Sequence, residues 1–319
     1  MKKPKSTTYV SAENLRALVP YLDAVSGLER GFRDLARYSQ HPREHLPVDG
    51  GELLMMPASG PEGVGIKLIT VNPANPARGL PLINGTYLLF SPDTLVPEAV
   101  VDGAALTALR TAAVSALATH YLARENAHRL VVFGAGPQAA AHVQAMCAVR
   151  PIDHVTIVGT GSARTHELRA AIAADGLSCS LGTPADVASA DIVCTCTTSA
   201  TPLFPAALLR PDAHVNAVGS YRPDVRELDG ELLGSVRVVV ETRAAALAAA
   251  GDIVLAIDEG RLAPENLLEL RDFICGDLAA QPGTATVFKS VGVAFEDLVV
   301  ARVAADQAAG SVIRIAASS

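Results

Sequence analysis

The chain has 319 residues, 50% of them hydrophobic and 18% charged, which describes a globular protein with a large core and room for two domains. A formal net charge of −7 argues against nucleic acid or an anionic membrane as a main partner, because either would select a basic surface. No apolar run reaches the roughly 18 residues that span a bilayer, and M-K-K-P-K-S-T-T has no apolar segment behind its lysines, so neither a membrane span nor a signal peptide is expected.

In chain order, residues 11–39 read as helical. Ser11 is placed to cap the start, and Val25, Leu28, Phe32 and Leu35 recur at helical spacing. Over 43–110 short apolar segments alternate with Pro and Gly: E-L-L-M-M-P, G-V-G-I-K-L-I-T-V-N-P and N-G-T-Y-L-L-F-S-P. These are strand signals separated by turn chemistry, and they predict an antiparallel sheet. Leu106 to Arg124 follows as a long alanine-rich helix with no breaker, read as a bridge between two domains. From 130 to about 240, strand and helix patterns alternate. The strand candidates are Leu130–Phe133, Val155–Val158, Ile192–Thr195, His214–Val218 and Val236–Val240, an alternation that predicts an α/β fold with a doubly wound parallel sheet. Near the end, V-F-K-S-V-G-V-A-F-E-D reads as a glycine-bearing turn leading into a last helix. The five cysteines show no C-x-x-C spacing; Cys194 and Cys196, in D-I-V-C-T-C, read as buried thiols. That usage suits a reducing cytoplasm and gives no metal site.

The stretch L-V-V-F-G-A-G-P-Q-A-A-A, 130–141, carries chemistry. A short apolar strand ends in Gly134; Gly136 and Ala139 follow at G-x-G-x-x-A spacing and a helix begins. Gly134 permits a sharp turn, Gly136 lets backbone approach a pyrophosphate, and Ala139 lets helix pack on strand, with the helix N-terminus facing the phosphates. Glycine turns between strand and helix also occur without a ligand. After the second strand of such a unit, an acidic residue takes the ribose hydroxyls of NAD, whereas basic and hydroxyl groups accept the phosphate of NADP. Here V-T-I-V continues as Gly159-Thr160-Gly161-Ser162-Ala163-Arg164-Thr165, with no carboxylate. Thr160, Ser162 and Arg164 therefore favour NADP(H), with NAD(H) possible. The plainer alternative makes Arg164 a solvated helix residue.

Several segments carry a family resemblance: L-L-M-M-P (53–57), G-I-K-L-I-T-V-N-P (65–73), L-T-A-L-R-T-A-A-V-S-A-L-A (106–118), the G-A-G-P-Q-A turn, H-V-N-A-V-G-S-Y-R-P-D-V-R-E-L-D (214–229) and F-K-S-V-G-V-A-F-E-D (288–297). In these the chain resembles the ornithine cyclodeaminase/mu-crystallin family. The resemblance implies a Rossmann domain over 114–297 and a discontinuous α+β substrate-binding and dimerisation domain, 1–113 with 298–319. It implies a homodimer that uses NAD(P) on a small imino or amino acid. It implies that Arg43, Lys67 and Arg110 hold the substrate carboxylate with Met56 nearby. For the cofactor it implies Thr111, the turn residues Gly134, Ala135, Gly136, Pro137, Gln138 and Ala139, then Thr160, Ser162 and Arg164, and Thr197, Thr198, Asn216, Val218, Gly219 and Val291.

Part of this stands without the family. Lys67 interrupts an apolar run from Val64 to Val71, and Arg110 sits in an alanine-rich helix. A charge in such a place is paired or functional, or else a snorkelling side chain. An arginine fork suits a planar carboxylate. Lys67 beside two guanidinium groups would have its pKa pushed down by like charge and burial, which suits a proton donor.

The chain departs from the cyclodeaminases of the family. Tyr221 stands where they carry an Asp, Val225 where they carry a Lys, and Leu82 where they carry a substrate-contacting Thr. Asp224, three residues past the Asp position, reads as structural. The resemblance is then to the ketimine reductase branch, with Leu82 and Tyr221 against the methylenes of a ring. The expected reaction is reduction of Δ1-pyrroline-2-carboxylate or Δ1-piperideine-2-carboxylate to proline or pipecolate. The alternatives are a cyclodeaminase, another amino- or imino-acid dehydrogenase of the family, or a cofactor-dependent binding protein.

Overall fold

The computed structural model describes residues 7–310; the expectations drawn from M-K-K-P-K-S and from 311–319 lie outside the described residues. The chain opens with β1 (Thr8–Val10), α1 (Ala12–Leu18) and α2 (Tyr21–Arg33). A run of strands follows: β2 (Ser39–Gln40), β3 (Glu44–Val48), β4 (Gly51–Gly60), β5 (Gly63–Val71), β6 (Ile83–Phe90) and β7 (Pro97–Asp102). The long α3 (Gly103–Leu122) leads to β8 (Arg129–Phe133), α4 (Pro137–Val149), β9 (His154–Val158), α5 (Ala163–Ala174), β10 (Ser178–Leu181), β11 (Ile192–Thr195) and β12 (His214–Ala217). Then come α6 (Gly230–Ser235), β13 (Arg237–Val240), α7 (Arg243–Ala249), α8 (Gly251–Asp258), β14 (Leu268–Glu269), α9 (Leu270–Cys275), β15 (Thr286–Lys289) and α10 (Ala294–Gly310).

These elements form two compact units. Unit 1 reaches Arg110 and resumes at Val293; unit 2 is Thr111–Gly292. The first cut falls inside α3 and the second just ahead of α10. Glu296 and Asp297, assigned on sequence to the 114–297 domain, therefore pack within unit 1.

Unit 1 is a sheet in the order β1-β7-β6-β5-β4-β2, with β3 also paired to β4. The antiparallel sheet expected over 43–110 is present, and β1 adds a parallel edge against β7. Met56, Lys67, Tyr87 and Val101 stand opposite one another on successive strands, and all four are buried. Period-two alternation makes them one row on one face. Helix α10 packs across that face and against α2. Phe295 of α10 meets Phe32 of α2 edge-on at 4.9 Å between ring centroids, a favoured geometry for aromatic pairs. The helical reading of 11–39 holds as far as Arg33, as two helices; Leu35–Arg37 is a single 3-10 turn and Ser39 opens β2. Pro20 lacks an N–H to continue the ladder, and α1 ends where the Val19 N–H meets the Leu15 carbonyl at 3.0 Å.

Unit 2 is an eight-stranded sheet, β10-β9-β8-β11-β12-β15-β13-β14, and its pairings are parallel. Its inner strands β8, β9, β11 and β12 are short and buried on both faces, as parallel sheets flanked by helices require. One element was misread on sequence. V-F-K does not open the turn but lies in the inner strand β15, between β12 and β13. Lys289 disguised it, yet that lysine is 1% exposed and ion-paired to Asp252. Because β8 lies between β9 and β11, the strand order reverses at its carboxyl end, where such folds open a ligand crevice. Among the described residues no helix is long and apolar enough to cross a membrane.

Candidate active site

In unit 1 the inward row of the sheet carries its charge at Lys67. The Lys67 ammonium donates to both carboxylate oxygens of Asp297, at 2.9 and 2.8 Å. Arg110 Nε donates to Asp297 Oδ1 at 3.1 Å, and its Nη1 to Glu296 Oε2 at 2.8 Å. Lys67 and Arg110 are 2% and 4% exposed, and both carboxylates are fully buried. Removing such charges from water costs several kcal/mol per ion, so each must meet its opposite. Glu296 and Asp297 lie in the first turn of α10, where the helix dipole favours anions. Arg43, just ahead of β3, is half-buried and near enough to act on the Lys67 charge. Burial, then the Arg110 charge, push the Lys67 pKa down; Asp297 pulls it back and Arg43 lowers it again, leaving it at about 8.

The cluster thus brings together Arg43, Lys67, Arg110 and, on the neighbouring strand opposite Lys67, Met56. It does not include Leu82. Lys67 faces Tyr87 across β6, whereas the Leu82 carbonyl accepts from the Asn72 N–H beyond the far end of β5. That is five residues along the strand from Lys67, about 17 Å. Within this chain, Leu82 is therefore corrected out of the group around the clamp. Sequence reading passed over Asp297, Glu296 and Tyr87. The signal available was a pair of acids, Glu296-Asp297, just ahead of the apolar stretch Leu298–Ala301.

In unit 2 the chain leaves β8 at Gly134 with φ of +104°, and a Cβ there would lie 2.5 Å from the Cys196 carbonyl oxygen. Only glycine turns the chain at this point. Gly136 differs: a Cβ added there would meet nothing of the protein within 4 Å. It sits at the N-cap of α4 with no side-chain capping bond, followed by Pro137 at the first helical position. Ala135, Pro137 and Gln138 complete the turn, and Ala139 is fully buried against the sheet. An open approach to backbone at an uncapped helix start fits the pyrophosphate of a dinucleotide. After β9, Thr160, Ser162 and Arg164 are exposed together around the start of α5, and 159–166 contain no carboxylate.

The loops after β11, β12 and β15 are braced by three buried carboxylates that sequence reading missed. Glu227 accepts from Thr195 Oγ1 (2.7 Å), Thr197 N (2.8 Å), Thr197 Oγ1 (2.7 Å) and Gly219 N (2.8 Å). Asp252 is ion-paired to Lys289 at 2.8 Å, takes the Ser220 hydroxyl at 2.5 Å, and accepts the Glu227 and Leu228 N–H groups at 2.7 and 2.8 Å. Glu241 accepts from Ser290 Oγ and from the N–H groups of Val291 and Gly292, at 2.6, 3.0 and 2.9 Å. These bonds hold Thr197, Gly219 and Val291 in place. Thr198 is exposed, Val218 half-buried and Thr111 buried in α3.

Asn216 is the exception in this set. Its side chain is fully buried and donates to Thr119 Oγ1 at 2.9 Å, so its amide is spent in the interior. Tyr221 is half-buried beside Ser220, and Asp224 is taken up by Arg222 on the surface at 3.0 and 2.7 Å.

A family model described as ornithine cyclodeaminase/mu-crystallin matches residues 6–311. The chain belongs to the ornithine cyclodeaminase/mu-crystallin family. Among relatives in that family, a Δ1-pyrroline-2-carboxylate reductase of Bacillus cereus is 38% identical over 311 residues, covering 92% of this chain and 94% of that protein. The structure of the Thermococcus litoralis Δ1-pyrroline-2-carboxylate reductase in complex with NADH and L-proline matches with a TM-score of 0.91 at 28% identity, over 95% of this chain and 98% of that one. An archaeal alanine dehydrogenase dimer with bound NAD matches with a TM-score of 0.89 at 29% identity, over 95% and 96% of the two chains. Family membership and the open face at Gly136 point to one direct test. Gly136→Val fills only empty space, so its melting temperature should stay within a degree or two of wild type while its affinity for NADPH, read by fluorescence titration, drops by at least about tenfold. Unchanged affinity would remove the turn from the cofactor site.

Proposed function

We propose that the protein is an NAD(P)H-dependent ketimine reductase that converts Δ1-pyrroline-2-carboxylate, Δ1-piperideine-2-carboxylate or both to L-proline or L-pipecolate. The observation that carries this reading is the buried pair Lys67 and Arg110, joined by one carboxylate and with Arg43 close by. Two guanidinium forks and an ammonium suit the carboxylate of an α-imino acid. Tyr221, in place of the Asp of the cyclodeaminases, leaves no acid there for a second amine.

A bound dihydronicotinamide would supply the hydride. The chain's own residues do the rest. Arg43 and Arg110 orient the imine through its carboxylate, and this holding of C2 contributes much of the rate. The Lys67 ammonium gives the imine nitrogen its proton as the C=N bond is reduced, and so leaves the product nitrogen as an amine. With its pKa near 8, Lys67 is charged at neutral pH and still acidic enough to give the proton up. Gly134 to Ala139 would hold the pyrophosphate, and Thr197, Gly219 and Val291 on the braced loops would hold the nicotinamide half.

The deciding measurement is steady-state reduction of the two cyclic imines with NADPH and NADH, beside ornithine as control. We expect imine turnover, with kcat/KM level below pH 8 and falling above it as Lys67 loses its proton. Ornithine converted to proline and ammonia at a comparable rate would overturn the reading.

We further propose that NADPH is preferred, with Thr160, Ser162 and Arg164 receiving the adenosine phosphate. Arg164→Glu should then weaken NADPH about tenfold or more and leave NADH nearly unchanged; equal effects on both would sink the assignment. The protein also pairs as a homodimer in our reading. The sheet face opposite α10 carries half-buried Leu53, Met55, Ile66, Leu68, Leu88 and Phe90, a contiguous apolar surface of the kind that marks an interface. Light scattering should give the mass of two chains; a monomer at micromolar concentration contradicts it. Its five cysteines are free thiols, which suits a reducing cytoplasm.

A further inference from the structure

One carboxylate, Asp297, joins three elements of unit 1 and takes no part in the steps above. Its oxygens accept the Lys67 ammonium from β5 and Nε of Arg110 from α3, while its own backbone belongs to the first turn of α10. That turn is itself pinned. Phe295, two residues earlier, lies edge-on to Phe32 at 4.9 Å and tilted on Tyr38 at 5.1 Å. Asp297 therefore stands fixed in the core, and the four-carbon stem of Lys67, free to turn by itself, is not.

We propose that Asp297 is the positioning residue of the clamp: it aims the Lys67 ammonium and the Arg110 guanidinium from one carboxylate, and it keeps the proton on Lys67 until the imine nitrogen takes it. The proposal rests on the reductase reading and adds a residue to it.

The charges around Lys67 make the case. From α3 it faces Arg110, from the segment before β3 Arg43 and from α10 Asp297; Tyr87 stands opposite it on β6 with its phenol over Gly65, and Glu296 faces Arg110. Burial and both arginines act to strip the Lys67 proton, and Asp297 is the group that retains it. The proton then moves in one balanced step. The Nζ–H bond breaks as the N–H bond of the amine forms, the hydride donor is oxidised, and Lys67 recovers a proton from solvent. While Lys67 is neutral, Asp297 keeps its bond to Arg110. It is never left as an unpaired buried charge, which would cost several kcal/mol.

Lysine NMR reads this without catalysis. The chain contains five lysines, and of the described residues only Lys67 and Lys289 are among them. In full-length protein labelled with 13C at lysine Cε, the signal lost in Lys67→Met assigns Lys67. Wild type should titrate near pH 8. Asp297→Asn, which keeps the shape without the charge, should lower that midpoint by about one unit or more, a tenfold loss of proton affinity. The alkaline limb of kcat/KM should move down with it. Asp297→Glu keeps the charge and displaces it: the Lys67 midpoint should stay near wild type while kcat falls about tenfold at similar KM.

An unmoved Lys67 midpoint in folded Asp297→Asn overturns the proton-holding role. Full kcat in Asp297→Glu overturns the aiming role, and that arm stands even if Asp297→Asn does not fold. If wild type reduces no cyclic imine, the reductase reading fails, and the NMR titration still decides whether Asp297 holds the Lys67 proton.

Discussion

A charge withdrawn from water must meet an opposite charge or a full set of hydrogen-bond donors, and both units of this protein are arranged around that requirement. In unit 1 it is met by Asp297 and Glu296 against Lys67 and Arg110. In unit 2 it is met by Glu227 on backbone and threonine donors, by Asp252 on Lys289 and Ser220, and by Glu241 on Ser290 and two N–H groups. Breaking such a pair by removing one partner typically costs 3–5 kcal/mol. These carboxylates are therefore structural clamps as much as electrostatic ones. Each ties together segments distant in sequence, and each borders residues assigned to ligand.

In the proposed reading the two units divide the chemistry. Unit 2 offers what any dinucleotide needs: a glycine turn, an uncapped helix start and loops held rigid at the strand ends. Those features are generic to the fold and do not choose a substrate. Unit 1 is specific. A strand that is otherwise apolar carries one lysine inward, and the helix lying over it opens with two acids. That arrangement leaves an ammonium both buried and acidic enough to lose its proton near neutrality, a state that exposed lysines do not reach.

Much of this was legible in the residues. The apolar run that Lys67 interrupts marks a strand, and the spacing Gly134, Gly136, Ala139 marks a glycine turn between strand and helix. What escaped was what depends on partners far away in sequence. Asp297 is 230 residues from Lys67, and nothing local to F-E-D says which cation it meets. V-F-K, expected to open a glycine-bearing turn, is part of a core strand, where Lys289 is paired to Asp252. Asn216 belongs to the cofactor set only through the family resemblance; its amide turns inward to Thr119. Leu82 was placed by its match to a family position, and the register of β5 with β6 sets it well away from Lys67.

The sequence by itself determined the alternation of strand and helix in unit 2, the antiparallel sheet of unit 1, the glycine turn and the residue types of the basic clamp. Those follow from local periodicity and backbone freedom, which act over a few residues. Only the tertiary structure decided how the buried charges are paired, that Glu296 and Asp297 close the clamp from α10, that Lys289 belongs to a core strand, and that Glu227, Asp252 and Glu241 brace the loops. The reason is physical. Propensity is a property of neighbours along the chain, whereas the pairing of a desolvated charge is a property of neighbours in space.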